Sequence, residues 1–167
     1  TFTNKAAREM RERVRSELIA QLNVDTSEPN IHYGTEMPNM ATFHSLGATI
    51  MRTHAEALGF TKHLSIIDPD DALTIIKNIL RDLGYDPKDH DPREIQKKMS
   101  RAKNECRSLQ EYTENARTPM EKLAAQVWGF YQVELKKQNS VDFDDLLLLP
   151  LVLFEKRPDI LEDYQNR

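Results

Sequence analysis

The sequence predicts a mostly α-helical protein. Apolar residues recur at helical spacing along most of the chain, and several of these stretches begin with a side chain that is suited to cap a helix. Hydrophobic residues make up 39% of the 167 positions, which can fill the core of one ordinary domain, or of one small domain and pieces of another. We therefore expect a folded, soluble protein built mainly from helices.

The first predicted helix begins after Thr3 and Asn4. Five apolar residues share one of its faces at helical spacing: Ala7, Met10, Val14, Leu18 and Leu22. Residues 23–41 contain two prolines and a glycine and show no clear period. A surface loop is therefore predicted before the Thr42-Phe43-His44-Ser45 turn.

Three later helices are predicted from their first residues. Asp68-Pro69 and Asp91-Pro92 each place a capping aspartate before a proline at the first helical position. Thr118-Pro119-Met120-Glu121 is a capping box, in which the glutamate can reach back to the cap amide. Gly84 suits the end of the first of these helices. The last of them is expected to supply aromatic rings to the core: Trp128, Phe130 and Tyr131.

Basic residues are concentrated in one predicted helix, although the formal net charge of the chain is -4. Six of them lie between positions 93 and 107: Arg93, Lys97, Lys98, Arg101, Lys103 and Arg107. The apolar face of this helix comprises Ile95, Met99, Ala102 and Cys106. Lys97, Arg101 and Asn104 lie on the opposite face. Such a basic face can bind phosphate even on an acidic protein.

The motifs of a nucleotide or metal site are absent from the sequence. The five glycines are scattered singly, and no GxxxxGK[ST] loop occurs. Asp144-Asp145 follows no hydrophobic strand, so we interpret this region as a helix start that is capped by Asp142. His44 and His54 have neither the spacing nor the nearby carboxylate of a metal site. We assign no catalytic residue and no metal ligand.

Cysteine content and the length of the apolar runs bear on the compartment. The single cysteine, Cys106, excludes an internal disulfide or a multi-cysteine zinc site, and we expect it to be a small buried thiol. The longest apolar run, which begins at Leu146, is much shorter than the roughly 18 residues that a membrane-spanning helix needs. We therefore expect a cytoplasmic protein without a membrane partner.

Several blocks of the sequence resemble the UvrD/PcrA/Rep-type superfamily 1A DNA helicases. The opening Thr1 to Met10, TFTNKAAREM, is similar to the motif Ia segment of that family almost residue for residue. Three further blocks follow in the family's order: TFHS at 42–45, SRAKNE at 100–105 and VDFDDL at 141–146. Segments at 66–69 and 158–165 are similar to linking segments of the family, so the resemblance covers the whole chain.

The resemblance implies a position between the Walker A and Walker B motifs of such a helicase. Residues 1–65 and 142–167 would be helical pieces of a RecA-like, P-loop NTPase domain 1A, with most of the motif Ia strand lacking. Residues 66–141 would form its helical insert, domain 1B. ATP and Mg²⁺ would bind elsewhere in the parent protein, so this fragment alone would not hydrolyse ATP. The loop at 23–41 is longer than is usual before the TFHS block.

The resemblance also implies contacts to DNA. Phe2 would offer a stacking face to a base, and Asn4 and Thr42 would donate to phosphate. His44 would contact the backbone or a base. On the basic helix, the contacts to a duplex or junction would come from Arg101, Lys103 and Asn104. The implied partner is therefore single-stranded DNA beside a duplex junction, in an ATP-dependent DNA helicase that serves DNA repair or replication.

Two alternatives stay open at this point. The basic face at 93–107 could belong to a helical interaction module that binds an acidic protein instead of DNA. A DNA affinity that falls steeply with salt would favour the helicase. The parent protein could also be a helicase-nuclease, with its nuclease domain outside this chain.

Overall fold

The computed structural model of the chain describes residues 1–22 and 40–166. The predicted loop at 23–41 lies outside the described residues except for its last two positions, and so do the side chains of Leu18 and Leu22. The chain divides into two compact units, Thr1–Leu46 and Gly47–Arg167.

Helices make up most of the described residues, which confirms the mostly α prediction. In chain order they are α1 (Asn4–Leu22), α2 (Phe43–Thr53), α3 (Pro69–Asp82), α4 (Pro92–Asn104), α5 (Leu109–Asn115), α6 (Pro119–Lys137), α7 (Asp145–Lys156) and α8 (Pro158–Gln165). A short 3-10 helix at Ala55–Leu58 follows α2. Two strands of two residues each, β1 (Ser65–Ile66) and β2 (Ser140–Val141), pair in parallel. Within the part of the chain that the structure describes, no helix is long and apolar enough to cross a membrane.

The first unit contains α1 and the start of α2. The Oγ1 atom of Thr3 accepts a hydrogen bond from an amide in the first turn of α1 at 3.1 Å, as expected of a capping residue. Of the predicted apolar face, Ala7 is buried whereas Met10 is 49% exposed. Arg11 donates to the carbonyl oxygen of Met40 at 2.7 Å, which holds the segment before α2 beside α1.

The predicted starts of α3 and α4 are confirmed. Asp68 Oδ1 accepts hydrogen bonds from the amides two and three residues later, both at 2.9 Å. Asp91 Oδ1 accepts the amide of Arg93 at 2.9 Å. Gly84 follows the end of α3 with a φ of 81°, the left-handed conformation that a glycine adopts without steric cost.

Both α5 and α6 begin with capping boxes, although the sequence analysis identified only the second. Thr118 Oγ1 accepts the amide of Glu121 at 3.2 Å, and the Glu121 carboxylate accepts the amide of Thr118 at 2.9 Å. Hydrogen bonds from backbone amides lower the pKa of Glu121 to about 2. Ser108 and Glu111 form the same reciprocal pair at the start of α5. The short helix α5 was therefore predictable from its S-x-x-E pattern.

One hydrophobic core lies among α3, α4 and α6. Its fully buried side chains include Ile76, Ile95, Val127, Trp128 and Tyr131. On α5, Tyr112 packs edge-on against Trp128 with 5.6 Å between the ring centroids. The prediction that Phe130 belongs to this core is wrong, because Phe130 is 51% exposed. It follows Trp128 by two positions on the helix and therefore points to a different side.

A second, smaller core joins the chain before β1 to the chain after β2. Its buried members are Ala48, Met51, Leu64, Val141 and Leu146. Gly47 permits this packing, because a Cβ atom there would lie 1.8 Å from the carbonyl oxygen of Leu146. The chain leaves this core at β1, forms the core of α3, α4 and α6, and returns at β2 beside its point of departure.

The capping box of α6 gives a test of the fold. We expect Thr118→Ala to lower the free energy of unfolding by about 1 kcal/mol, because an amide of the first turn loses its acceptor. Thr118→Ser keeps the hydroxyl group and should retain most of the stability. Urea unfolding followed by circular dichroism measures both. Equal losses for the alanine and serine variants would contradict a role for the hydroxyl cap.

Candidate nucleic-acid interface

Two exposed aromatic rings lie side by side in the first unit. Phe2 is 89% exposed and Phe43 is 54% exposed, and their ring centroids are 5.6 Å apart at an interplanar angle of 60°. We call these residues the aromatic pair. Phe2 was predicted from the sequence as a stacking residue, whereas Phe43, which lies in the TFHS block at 42–45, was not. Exposed ring faces of this kind can stack on nucleobases.

The polar candidates of the first unit lie at the starts of α1 and α2. Asn4 is exposed and is the first residue of α1. Thr42 is buried, and its Oγ1 atom accepts the amide of Ser45 at 3.1 Å, so this hydroxyl group caps α2. His44 is half-buried in the first turn of α2. A groove of about 350 Å³ borders Asn4 and Thr42, and its cationic lining residues are Lys5, Arg8 and Arg11.

The exposed face of α4 carries a row of cations in the second unit. Arg93, Lys97 and Arg101 follow one another at four-residue spacing, and all three are exposed. We call these three residues the basic stripe. Arg101 forms an ion pair with Glu105 at 2.8 Å. Among the described residues, neither Arg93 nor Lys97 forms an ion pair within the protein.

Lys103 lies on a different side of α4, in the interior of the second unit. It is 3% exposed, and its Nζ atom donates to Asp142 Oδ2 at 2.7 Å and to Asp145 Oδ1 at 2.8 Å. The hydroxyl group of Tyr131 donates to the same Asp142 oxygen at 3.1 Å. We call Lys103, Asp142 and Asp145 the ion cluster. This placement removes Lys103 from the surface that could meet a phosphate, contrary to its expected role.

The ion cluster sets two carboxylates against one ammonium group. Burial raises the pKa of Asp145 to about 6; the attraction of Lys103 opposes this shift and the nearby charge of Asp142 adds to it. Burial lowers the pKa of Lys103, but the two carboxylates outweigh burial and hold it above its usual range. The raised pKa of Asp145 favours its neutral form, whereas the raised pKa of Lys103 favours its charged form. The difference arises because one cation is shared by two carboxylates. Burial beside the carboxylates also raises the pKa of Tyr131, so its hydroxyl group stays a donor.

Asn104 makes a second link from α4 to the turn before α7. Its Nδ2 atom donates to the carbonyl oxygen of Ser100 at 2.9 Å and to Asp144 Oδ1 at 3.3 Å, although the residue is exposed. Two of the blocks that carry the family resemblance, 100–105 and 141–146, therefore meet in space. This contact was not predicted, because the two blocks lie about forty residues apart in the sequence.

Asp142 closes the turn that leads into α7, but the cap position of the helix itself is Asp144, which makes no side-chain cap hydrogen bond, so the predicted capping of the helix start by Asp142 is wrong. The Oδ1 atom of Asp142 accepts the amide of Asp145 at 2.9 Å, and the Asp145 carboxylate accepts the amide of Asp142 at 3.3 Å. Because Lys103 also holds Asp145, the Asp144-Asp145 pair does not present two free carboxylates to a magnesium ion. Within residues 1–22 and 40–166, no group of three His, Cys, Asp or Glu side chains is placed to hold a metal.

The prediction that Cys106 is buried is wrong, because the residue is exposed. Cys106 lies beyond the last residue of α4 and has a φ of 54°. The chain has left the helix at this point, so helical spacing no longer decides which side a residue faces. The same spacing would have placed Lys103 correctly, since it follows Met99 by four positions and so shares the buried side of α4.

The fold and the site define a mostly helical protein with exposed aromatic rings and a row of exposed cations. Over residues 1–167 the chain matches the family model described as the UvrD/REP helicase N-terminal domain. The chain therefore belongs to the UvrD/REP helicase N-terminal domain family, and the resemblance found in its sequence is confirmed.

Relatives named ATP-dependent DNA helicase PcrA align with the whole chain. The identity over 167 residues is 39% for the protein of Leuconostoc citreum and 38% for that of Bacillus subtilis strain 168. It is 36% for the protein of Staphylococcus aureus strain Mu50. Each alignment covers 100% of this chain and 21% of the relative, so the chain spans about a fifth of the length of these proteins.

The raised pKa of Asp145 predicts a pH dependence of stability. Between pH 4 and 6 the folded protein should bind up to one proton more than the unfolded chain at this residue, so this contribution to stability falls as pH rises. The slope should be at most about 1.4 kcal/mol per pH unit. Asp145→Asn should remove it, whereas Asp144→Asn should not. Urea unfolding at several pH values decides, and the same slope with and without Asp145 would refute the assignment.

Proposed function

We propose that this chain is the DNA-contacting part of the first motor domain of an ATP-dependent DNA helicase. The observation that carries the proposal is the match of the whole chain to the UvrD/REP helicase N-terminal domain family. The exposed aromatic pair and the exposed basic stripe support it, because stacking faces and cations are what a protein needs to hold DNA without reading its sequence.

In the first unit, the proposed ligand is single-stranded DNA. The exposed faces of Phe2 and Phe43 suit stacking on bases, which every base permits because each has a π face. Asn4 and His44 are placed beside the pair along the chain and can contact the sugar-phosphate backbone. Thr42 acts mainly through structure, since its hydroxyl group caps α2, and the residue also borders the groove.

In the second unit, the proposed ligand is the backbone of a duplex or junction. The basic stripe is suited to this role because Arg93 and Lys97 keep their charges free of ion pairs within the described part of the chain, and Arg101 is exposed. Asn104 can contribute from the end of the same helix. Lys103 is left out of the proposed contacts because its ammonium group is buried.

We also propose that residues 66–141 form an insert between two parts of one motor domain, 1–65 and 142–167. The division is supported by the two cores of the second unit. One core draws its buried members only from positions 72–135, whereas the other combines positions 48–64 with positions 141–146. The parallel pairing of β1 with β2 lies where the chain passes from one to the other.

ATP and Mg²⁺ belong, in this proposal, to the parent protein. The described residues do not fit either group: the acidic pair nearest to a magnesium motif is engaged with Lys103, and the described glycines do not cluster into a phosphate loop. What the residues of this chain can do is bind and orient DNA. The parent protein would couple that binding to ATP hydrolysis and to movement along one strand.

A helical module that binds an acidic protein through the basic stripe is the competing proposal. Both functions use the same cations, but they differ in their response to salt. DNA binding releases condensed counterions, so its affinity falls linearly on a log-log plot with a slope set by the number of phosphates contacted. The two functions are therefore separated by a measured slope.

The basic stripe and the aromatic pair should affect DNA binding differently. Lys97→Ala with Arg101→Ala should reduce the log-log salt slope by about 2 units, roughly 0.9 for each lost phosphate contact. Phe2→Ala should cost about 1 to 3 kcal/mol of binding free energy per stacked base and leave the slope unchanged. Fluorescence anisotropy with a labelled junction that carries a single-stranded tail measures both quantities.

Each variant has a matched control. Lys77→Ala with Lys122→Ala removes two cations outside the basic stripe, and Phe130→Ala removes an exposed phenyl ring from α6. These controls should bind as the unchanged chain does. If the cation control lowers the slope as much as the stripe variant, net charge alone explains binding. A shallow slope for the unchanged chain, with tight binding to an acidic protein, would favour the competing proposal.

We further expect the 167-residue chain alone to release no phosphate from ATP, with or without DNA. A coupled phosphate-release assay tests this, with a full-length PcrA helicase as the positive control. DNA-stimulated turnover that persists through repurification, at an enzyme-like rate of about 1 per second or more, would show that the chain carries an ATP site of its own.

A further inference from the structure

The ion cluster connects two parts of the chain that are distant in sequence. Lys103 belongs to the last turn of α4, whereas Asp142 and Asp145 form the turn that opens α7. Both ammonium contacts are shorter than 3 Å and both carboxylates are mostly enclosed, with side-chain exposures of 13% and 11%. Tyr131 of α6 adds a hydrogen bond to Asp142.

The other connections between these parts are apolar contacts, a short strand pairing and one longer hydrogen bond at the surface, from Asn104 to Asp144 at 3.3 Å. The core of α3, α4 and α6 holds α4 within the insert, and its buried members include no residue of α7. The β1–β2 pairing joins the insert to the returning chain through only two residue pairs, Ser65 with Ser140 and Ile66 with Val141. The ammonium group of Lys103 is buried, and both carboxylates must stay within hydrogen-bond distance of it, at 2.7 and 2.8 Å, which limits the angle between α4 and α7 more tightly than apolar contacts do.

We propose that Lys103 is a positioning residue, which fixes helix α4 against the first turn of α7 and thereby sets the direction of the basic stripe. Only the expected effect on DNA binding rests on the function proposed for the basic stripe. Its structural part, the fixed orientation of α4, stands independently. Lys103 would then affect DNA binding through Arg93, Lys97 and Arg101 and without touching a phosphate itself.

The single cysteine of the chain provides a reporter for this orientation. Cys106 is exposed just beyond α4, and it borders a groove that is also lined by Leu148 and Val152 of α7. An environment-sensitive fluorophore attached to this thiol should respond to a change in the position of α4 relative to α7. Amide hydrogen exchange in α4 and in the first turn of α7 gives a second readout without a label.

The test compares Lys103→Met with Lys122→Met in the full 167-residue chain. Lys103→Met keeps most of the aliphatic stem and removes the cation, and Lys122→Met makes the same change at an exposed site of α6. For Lys103→Met we expect a shifted emission from the Cys106 label and exchange at least tenfold faster in the first turn of α7. DNA affinity should fall severalfold with an unchanged salt slope. Lys122→Met should match the unchanged chain in all three.

A phosphate contact by Lys103 would give a different result. The salt slope would then fall by about 1 unit while the label and the exchange rates stayed unchanged, and the proposal would be overturned. If the chain does not bind DNA at all, the function proposed for the basic stripe fails, but the label and the exchange rates still decide the role of Lys103.

A second variant covers the case in which Lys103→Met alone prevents folding. Lys103→Met combined with Asp145→Asn removes the cation together with one buried carboxylate, so less uncompensated charge is left inside. This double variant should fold and show the same shifted emission and faster exchange. Emission and exchange equal to those of the unchanged chain would overturn the proposal, as would a double variant that folds and binds DNA as the unchanged chain does.

Discussion

The ammonium group of Lys103, enclosed by two carboxylates, is the interaction on which the arrangement of the second unit depends most. A buried charge is tolerated only when its partners are close and well oriented, because removal from water costs several kcal/mol per ion. Here the partners come from a turn about forty residues later in the chain. The same carboxylates also cap that turn, so the ion cluster orders α4 and the start of α7 together. Loss of the cation would therefore disturb both segments.

This arrangement assigns different tasks to neighbouring residues of one helix. The basic stripe faces solvent, the apolar side of α4 fills a core, and Lys103 lies on that buried side with its charge neutralised locally. The positive charge available to a ligand is therefore smaller than the six basic residues between 93 and 107 suggest. A count of charges along the sequence cannot separate a cation that serves the fold from one that serves binding. Burial and ion pairing separate them.

The sequence was most informative where local chemistry decides the structure. Asp68, Asp91 and Thr118 start helices as predicted, because capping depends on residues within one turn. Long-range features were not predicted. To predict the ion cluster, one must know which segments meet in space. To predict a role for Phe43, one must know that its ring is exposed. Helical spacing did indicate that Lys103 is buried, but the prediction for this residue rested on its positive charge. Cys106 was misplaced for the opposite reason, since spacing was extended past the end of the helix.

An ion cluster suits a junction whose angle matters better than an apolar contact would. Apolar packing is non-directional and accepts several related arrangements, whereas two buried carboxylates must both stay within hydrogen-bond distance of the one ammonium group. The core of α3, α4 and α6 is apolar, and its buried members all lie between positions 72 and 135, so none of them comes from α7. What that core cannot supply is a fixed angle between α4 and α7, and the pairing of β1 with β2 adds only two residue pairs nearby. If the basic stripe guides DNA toward a motor domain, that angle decides whether the DNA arrives in the right place. The buried charge then serves to fix an orientation, although burial itself works against ionisation of Asp145.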